Sequence, residues 1–152
     1  MSVAVPVSEV EDVARRAEAW TPQEILDWAL HRFQDRIAFA SSFGVEDVAV
    51  IHMLSELDKN ARVFTLDTGR LPAETYDVME RIRDAYGTKI EVFFPQREAT
   101  EQLQNERGFF SFRRSIEDRK LCCGIRKVEP LNRALSKLDA WSTGLRLSLI
   151  HI

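Results

Sequence analysis

Two adjacent cysteines, Cys122 and Cys123, are the only thiols in the chain and the side chains best suited to metal or redox chemistry. Four cations flank them in the sequence: Arg119, Lys120, Arg126 and Lys127. Neighbouring positive charge lowers the pKa of a thiol, and the thiolate is the form that binds metal. A disulfide between adjacent residues would be strained. The pattern therefore favours an iron or redox site over two small buried hydrophobic side chains, the usual interpretation of a lone cysteine.

The length and composition of the chain are those of one globular domain. Its 152 residues are 45% hydrophobic and 30% charged, values that allow a substantial buried core. No apolar run reaches the roughly 20 residues that span a bilayer. No basic residue precedes the short apolar N-terminus, so a signal peptide is not predicted. Two adjacent cysteines provide no disulfide framework, and we expect a cytoplasmic protein that does not contact a membrane.

The charge of the chain is unevenly distributed. The net charge is −3, yet residues 107–146 hold ten Lys/Arg against four Asp/Glu, a local charge of +6. An acidic total disfavours general nucleic-acid binding, whereas a basic segment on an acidic body is typical of a pocket for a small anion. A solvated helix face rich in Lys and Arg explains the charge equally well, so both interpretations stay open on charge alone.

A strand, a tight turn and a helix are predicted between residues 37 and 57. The apolar run 37–40 has the length of a buried strand, and Val48, Ile51 and Leu54 then recur at helical spacing. The intervening residues 41–47 would direct backbone N–H groups from the helix N-terminus towards an anion, usually a phosphate. A plain connection with a serine cap is the structural alternative.

Two further strands are predicted at residues 61–66 and 90–94, with a helix between them. The first ends at Asp67, Thr68, Gly69 and Arg70, and open α/β sheets bind ligands beyond the carboxyl ends of their strands. Asp67 could equally be a cap for the following helix. Alternating strands and helices indicate an open, mostly parallel, doubly wound α/β sheet.

Three segments together resemble the family of assimilatory adenylyl-sulfate (APS) and phosphoadenylyl-sulfate (PAPS) reductases. Residues 122–131, Cys-Cys-Gly-Ile-Arg-Lys-Val-Glu-Pro-Leu, resemble the cluster-binding segment of the APS reductases. Residues 42–47, Ser-Phe-Gly-Val-Glu-Asp, resemble the family's modified pyrophosphate-binding loop. Residues 66–70, Leu-Asp-Thr-Gly-Arg, resemble its second nucleotide-binding motif, which lies against the adenosine.

The resemblance implies thioredoxin-dependent reduction of APS to sulfite and AMP, on a sheet of the adenine nucleotide alpha-hydrolase-like (PP-loop) type. It implies that Cys122 and Cys123 are two of the four ligands of a four-iron four-sulfur cluster. The substrate-binding residues that it implies are Ser41, Ser42, Phe43, Gly44, Val45, Glu46, Asp47, Leu66, Asp67, Thr68, Gly69, Arg70, Lys127 and Arg146. Homo-oligomer formation is left open.

The resemblance also implies domain bounds, and it implies that this sequence contains no catalytic residue. We expect an N-terminal helical segment at 1–20, an incomplete reductase domain at 21–146 and a non-native tail at 147–152. The tail resembles the translation of a sequencing-library adapter. The family's remaining ligands lie in a later Cys-x-x-Cys, and its nucleophile lies in a Glu-Cys-Gly-Leu-His motif. This sequence has neither, so we predict no catalytic residue and an inactive fragment.

Three other functions remain as alternatives. A PAPS reductase shares the nucleotide-binding motifs. A nucleotidyl transferase of the ATP-pyrophosphatase type, such as the small subunit of a sulfate adenylyltransferase, shares the strand–loop–helix unit. That class carries Gly-Gly in the loop and needs no cysteine pair, so Phe43, Cys122 and Cys123 count against it. The third alternative is a binding module without catalysis.

Overall fold

A parallel four-stranded sheet forms the centre of the computed structural model, which describes residues 6–145. The strands lie in the order β3-β2-β1-β4, and each neighbouring pair is parallel. They are β1 (Ile37–Ala40), β2 (Val63–Leu66), β3 (Ile90–Phe93) and β4 (Ala140–Thr143). The predicted open, parallel α/β sheet is confirmed. Arg146 and the predicted tail at 147–152 lie outside the described residues.

Seven α-helices surround the sheet within residues 6–145: α1 (Val7–Ala17), α2 (Pro22–Phe33), α3 (Val45–Leu57), α4 (Ala73–Tyr86), α5 (Arg97–Arg107), α6 (Ile116–Cys123) and α7 (Glu129–Leu135). A π-helical stretch, Gly124–Val128, joins α6 directly to α7. A capping box starts α2, because Glu24 donates its N–H to the Thr21 hydroxyl and its carboxylate accepts the Thr21 N–H at 2.7 Å. No helix between residues 6 and 145 has the length and apolar character needed to cross a bilayer.

The two faces of the sheet pack against different helices, since side chains alternate along each strand. Phe39 and Val63 face the larger core, which α2, α3 and α4 fill with five buried side chains: Leu26, Ile51, Leu54, Met79 and Ile82. Ala38 and Phe64 face the other side, where Ala134 of α7 covers them. Helix α2 therefore buries Leu26, whereas its neighbour Ile25 is 40% exposed.

The strand order places a topological switch point beside β1. The chain moves from β1 outwards to β2 and β3 and then returns to pair β4 with the opposite edge of β1. Arg36 and Asp139 hold this return, with guanidinium–carboxylate bonds of 2.5 and 2.8 Å just before the two strands. In open α/β sheets, the crevice outside the carboxyl ends at such a point is where ligands bind.

Two of the clustered phenylalanines between α5 and α6 do not anchor this segment to the sheet. Phe109 is 66% exposed and Phe110 is 59% exposed. They follow Gly108, whose φ of +76° turns the chain away from α5. The Phe110 ring instead stacks against the guanidinium of Arg113, at 4.7 Å from its centroid, in a cation–π contact.

Candidate functional site

The loop after β1 is organised by the carboxylate of Asp47, which is 7% exposed in the first turn of α3. Its Oδ2 accepts the Ser42 N–H at 2.5 Å and the Ser42 hydroxyl at 2.9 Å, while the Ser41 hydroxyl lies at 3.3 Å. A carboxylate at a helix N-terminus is also stabilised by the helix dipole. The loop is therefore held in place by the chain's own hydrogen bonds.

Phe43 adopts a backbone conformation that favours glycine. Its φ is +61°, a strained value for a bulky residue that costs on the order of 1–3 kcal/mol. Its ring is buried in the larger core, and this burial stabilises the fold by about 1.5–3 kcal/mol, which offsets the backbone strain. Phe43 therefore keeps the backbone conformation of the glycine that ATP pyrophosphatases carry at this position. Burial of the Phe43 ring stabilises that conformation.

Gly144 brings the end of β4 against the start of α3. A Cβ atom built on Gly144 would collide with Oδ1 of Asp47 and would lie 3.1 Å from the Asp47 backbone nitrogen. Only glycine fits at this close approach without a shift of the backbone. The loop after β1 and the end of β4 consequently form one continuous wall.

The turn after β2 is organised by a second buried carboxylate, that of Asp67, which is 4% exposed. Its Oδ1 accepts the Gly69 N–H at 2.7 Å, and its Oδ2 accepts the Tyr76 hydroxyl at 2.7 Å. This hydrogen bond, with partial burial and the charge of Asp67, raises the pKa of Tyr76. Tyr76 is 41% exposed, and its hydroxyl rather than its ring makes the specific contact.

The cysteine-bearing helix approaches this turn from the other face of the sheet. Cys122 is buried and Cys123 half-buried, and both are free thiols at the end of α6. Arg126, in the π-helical stretch, is 4% exposed and donates from Nη1 to the Thr68 carbonyl at 2.5 Å. Its Nε and Nη2 have no partner among the described residues. Buried guanidinium nitrogens without acceptors are costly, so an anionic group bound beside them would stabilise this site.

Two cavities of about 290 Å³ each flank the carboxyl end of β1 and share Ala40 and Ser42. The first is lined by Ala40, Ser41, Ser42, Phe64, Thr65, Leu66, Thr68, Leu71, Lys127, Leu131 and Trp141. The second is lined by Ala40, Ser42, Gly44, Glu46, Asp47, Thr143, Gly144 and Leu145. A larger cavity of 520 Å³ lies beside Arg62 and contains none of the predicted site residues.

The structure brings most of the predicted substrate residues to these two cavities. Those that line them are Ser41, Ser42, Gly44, Glu46, Asp47, Leu66, Thr68 and Lys127. Asp67 and Gly69 shape the turn behind the cavity, while Phe43 points into the core and Val45 is 77% exposed. Arg70 stacks on the Phe112 ring at 4.8 Å and donates to the Phe109 carbonyl instead of lining a cavity.

Sequence reasoning missed several residues of this region, among them Leu131, Trp141 and Tyr76. Trp141 and Leu131 line the first cavity, and Tyr76 bonds Asp67. Trp141 lies in β4, a strand near which the resemblance implied only Arg146. The parallel pairing of Trp141 with Ala38 turns its side chain towards α7, and this pairing is not evident before the strand order is known.

A comparison with protein families decides which group the chain belongs to. A model described as the phosphoadenosine phosphosulfate reductase domain matches residues 36–148. The chain belongs to this family. The matched region of this reductase-domain chain begins just before β1 and includes both buried carboxylates, the cysteine pair and β4.

Curated relatives of this reductase-domain chain are APS reductases. It is 46% identical over 143 residues to 5'-adenylylsulfate reductase 3, chloroplastic, of Arabidopsis thaliana, covering 93% of this chain and 30% of that protein. It is 42% identical over 144 residues to adenosine 5'-phosphosulfate reductase of Pseudomonas aeruginosa, strain UCBPP-PA14, covering 93% of this chain and 53% of that protein. The reductase-domain chain thus spans between about a third and a half of their lengths.

A solved structure supports the fold of the reductase domain. The phosphoadenylyl-sulfate (PAPS) reductase from Candida auris superimposes with a TM-score of 0.82 and 23% sequence identity. The match covers 96% of this chain and 71% of the Candida protein. The predicted doubly wound sheet is therefore shared with a PAPS reductase.

Proposed function

We propose that this chain is the substrate-binding part of an APS reductase, which reduces adenylyl sulfate to sulfite and AMP. The observation that carries the proposal is the convergence of the loop after β1, the turn after β2 and Lys127 on one cavity. The named APS reductases at 42–46% identity support the choice of substrate. The free thiols suit a reducing compartment such as the cytoplasm.

The first cavity offers complementary surfaces to the two ends of such a nucleotide. Leu66, Leu71, Leu131 and Trp141 form an apolar wall suited to an adenosine. Lys127 supplies an ammonium donor suited to the phosphosulfate, whereas the Ser41 hydroxyl and the N–H and hydroxyl of Ser42 already donate to Asp47. We assign the adenosine to the apolar wall and the anion to the side of the cavity that Lys127 lines.

The surroundings of Cys122 and Cys123 fit two ligands of a four-iron four-sulfur cluster. The thiols are adjacent and free, and the unpartnered nitrogens of buried Arg126 follow three residues later. A cluster normally takes four thiolates, so two ligands would come from outside this sequence. When bound, the cluster would supply fixed charge at Cys122 and Cys123, and Lys127, four residues after Cys123, would supply a positive charge in the first cavity.

The proposed reaction needs a nucleophile that this sequence does not contain. A cysteine thiolate from the remainder of the enzyme attacks the sulfur of APS, the sulfur–oxygen bond breaks, and AMP leaves with the electron pair. A thioredoxin dithiol then reduces the enzyme's S-sulfocysteine, releasing sulfite and the free thiol as the thioredoxin becomes a disulfide. The residues of this chain bind the nucleotide and neutralise charge on the anion.

The proposed substrate is tested with an enzyme extended to the length of its relatives. Sulfite release from APS should exceed release from PAPS, because the cysteine pair accompanies the APS-reductase resemblance. Both nucleotides are compared at equal concentration with thioredoxin as donor. A clear preference for PAPS would reject APS as the substrate, and incorporation of labelled pyrophosphate into ATP would instead indicate a nucleotidyl transferase.

The ligand count predicts the iron content of the 152-residue chain itself. Two thiolates should fail to hold a stoichiometric four-iron cluster in a monomer, and no group of three or more His, Cys, Asp or Glu side chains between residues 6 and 145 offers a substitute site. Anaerobic reconstitution followed by iron and sulfide analysis is the measurement, with Cys122→Ala/Cys123→Ala as control. Four irons per monomer would contradict this prediction.

A further inference from the structure

The turn after β2 is fixed from two sides. On one side, Asp67 uses its two buried oxygens for two different donors, the Gly69 N–H and the Tyr76 hydroxyl, both at 2.7 Å. On the other side, the Thr68 carbonyl accepts from Arg126 at 2.5 Å. Gly69 has a φ of +70°, and an added Cβ would lie 3.3 Å from Nη1 of Arg126.

The contact with Tyr76 lies on the side away from the cavity. Thr68 and Leu71 line the cavity, whereas Asp67 is buried behind them and Tyr76 approaches from the first turn of α4. Tyr76 is 41% exposed, while Met79 and Ile82, on the same helix, are 7% and 3% exposed. Packing of α4 therefore depends on Met79 and Ile82, and the specific contribution of Tyr76 is its hydroxyl.

We propose that Tyr76 is a positioning residue for nucleotide binding: through Asp67, it holds residues 67–70 in the conformation that lines the cavity. Loss of the hydroxyl leaves Oδ2 of a buried carboxylate without its donor. A buried acceptor without a partner destabilises its surroundings, so the carboxylate must rotate or draw in water. Rotation of the carboxylate releases the Gly69 N–H and moves Thr68, the cavity-lining residue next to Asp67, whereas a water in place of the hydroxyl would leave the turn unchanged.

Tyr76→Phe tests the hydroxyl, and Tyr86→Phe is its matched control. These are the only tyrosines in the chain and both lie on α4. The Tyr86 ring contacts His52 at 5.7 Å, but its hydroxyl has no hydrogen bond to Asp67, whose Oδ2 is taken by Tyr76. In the ligand-free chain, hydrogen exchange of the Gly69 amide should accelerate about tenfold in Tyr76→Phe and stay unchanged in Tyr86→Phe.

Nucleotide affinity provides the functional measurement and rests on the proposed function. The dissociation constant for AMP, followed by NMR titration, should rise about tenfold in Tyr76→Phe and not in Tyr86→Phe. Replacement of Tyr76 by 4-aminophenylalanine keeps the ring and a donor at the same position. It should restore both Gly69 protection and AMP affinity, which a role in packing alone does not require.

The outcomes separate this inference from the proposed function. Unchanged Gly69 exchange in Tyr76→Phe overturns the inference whether or not AMP binds. Faster exchange with unchanged AMP affinity also overturns it, because the turn would then not need to be held for binding. Absence of AMP binding to the unmodified chain and to an enzyme of its relatives' length rejects the proposed function, and the inference with it.

If Tyr76→Phe does not fold, the 4-aminophenylalanine protein decides: faster Gly69 exchange than in the unmodified chain overturns the inference, and protection supports it.

Discussion

Lys127→Ala is expected to lower kcat/KM for APS by about 100-fold in an enzyme of its relatives' length, which corresponds to roughly 2.7 kcal/mol. Lys127 lines the cavity together with Ser41 and Ser42, so its ammonium is the cation available to the anionic end of the nucleotide there. A charge placed where negative charge develops stabilises the transition state more than the ground state. The loss should therefore fall mainly on kcat rather than on KM.

Lys137→Ala is the matched control for this prediction. Lys137 is exposed, lies just beyond α7 in the same basic segment, and lines neither cavity. It should change kcat/KM by less than about twofold, since an exposed charge away from the site is screened by solvent and salt. Equal losses at the two lysines would show that the segment acts only through its general positive field.

The strands and the loop after β1 could be predicted because their signals are local. The apolar run 37–40 and the helical spacing after it are sufficient to place β1 and α3. The second strand and the turn at Asp67 follow from the same kind of pattern. Such patterns depend on neighbours in sequence, and tertiary contacts did not override them here.

The roles of Arg126 and Tyr76 could not be predicted because both depend on contacts between distant segments. Arg126 reaches Thr68, 58 positions away, from a π-helical stretch whose extra residue rotates the following side chains relative to α6. Nothing in the residue types marks that stretch as π-helical. Tyr76 has the spacing of a core residue in α4, but it lies in the first turn, where its hydroxyl reaches the turn after β2.

The aromatic segment shows a different limit of sequence reasoning. Clustered phenylalanines usually pack inside, yet Phe109 and Phe110 are exposed, and the rings of Phe110 and Phe112 contact the guanidinium groups of Arg70 and Arg113. Arg70, predicted to contact substrate, is engaged by the same rings and by the Phe109 carbonyl. The cation–π contacts of Arg70 join residues 40 and 42 positions apart, and such contacts leave no periodic pattern in the sequence.

Arg126→Met is expected to stabilise the 152-residue chain while weakening its affinity for AMP. The guanidinium is buried, and its Nε and Nη2 lack partners among the described residues. Each unsatisfied buried donor costs about 1–3 kcal/mol, whereas the single bond to the Thr68 carbonyl returns about 1 kcal/mol. Methionine fills a similar volume without polar atoms, so the free energy of unfolding should rise by about 1–3 kcal/mol.

Arg119→Met separates this effect from a general loss of positive charge. Arg119 is exposed on α6 in the same basic cluster, so its replacement should change the free energy of unfolding by less than about 0.5 kcal/mol. Urea unfolding of the three proteins gives the comparison, and AMP titration of the folded proteins gives the affinity. A higher stability with weaker binding means that Arg126 is retained for an anion at the expense of stability. A fall in stability would mean that water or another group already satisfies the guanidinium, and the case for an anionic neighbour would fail.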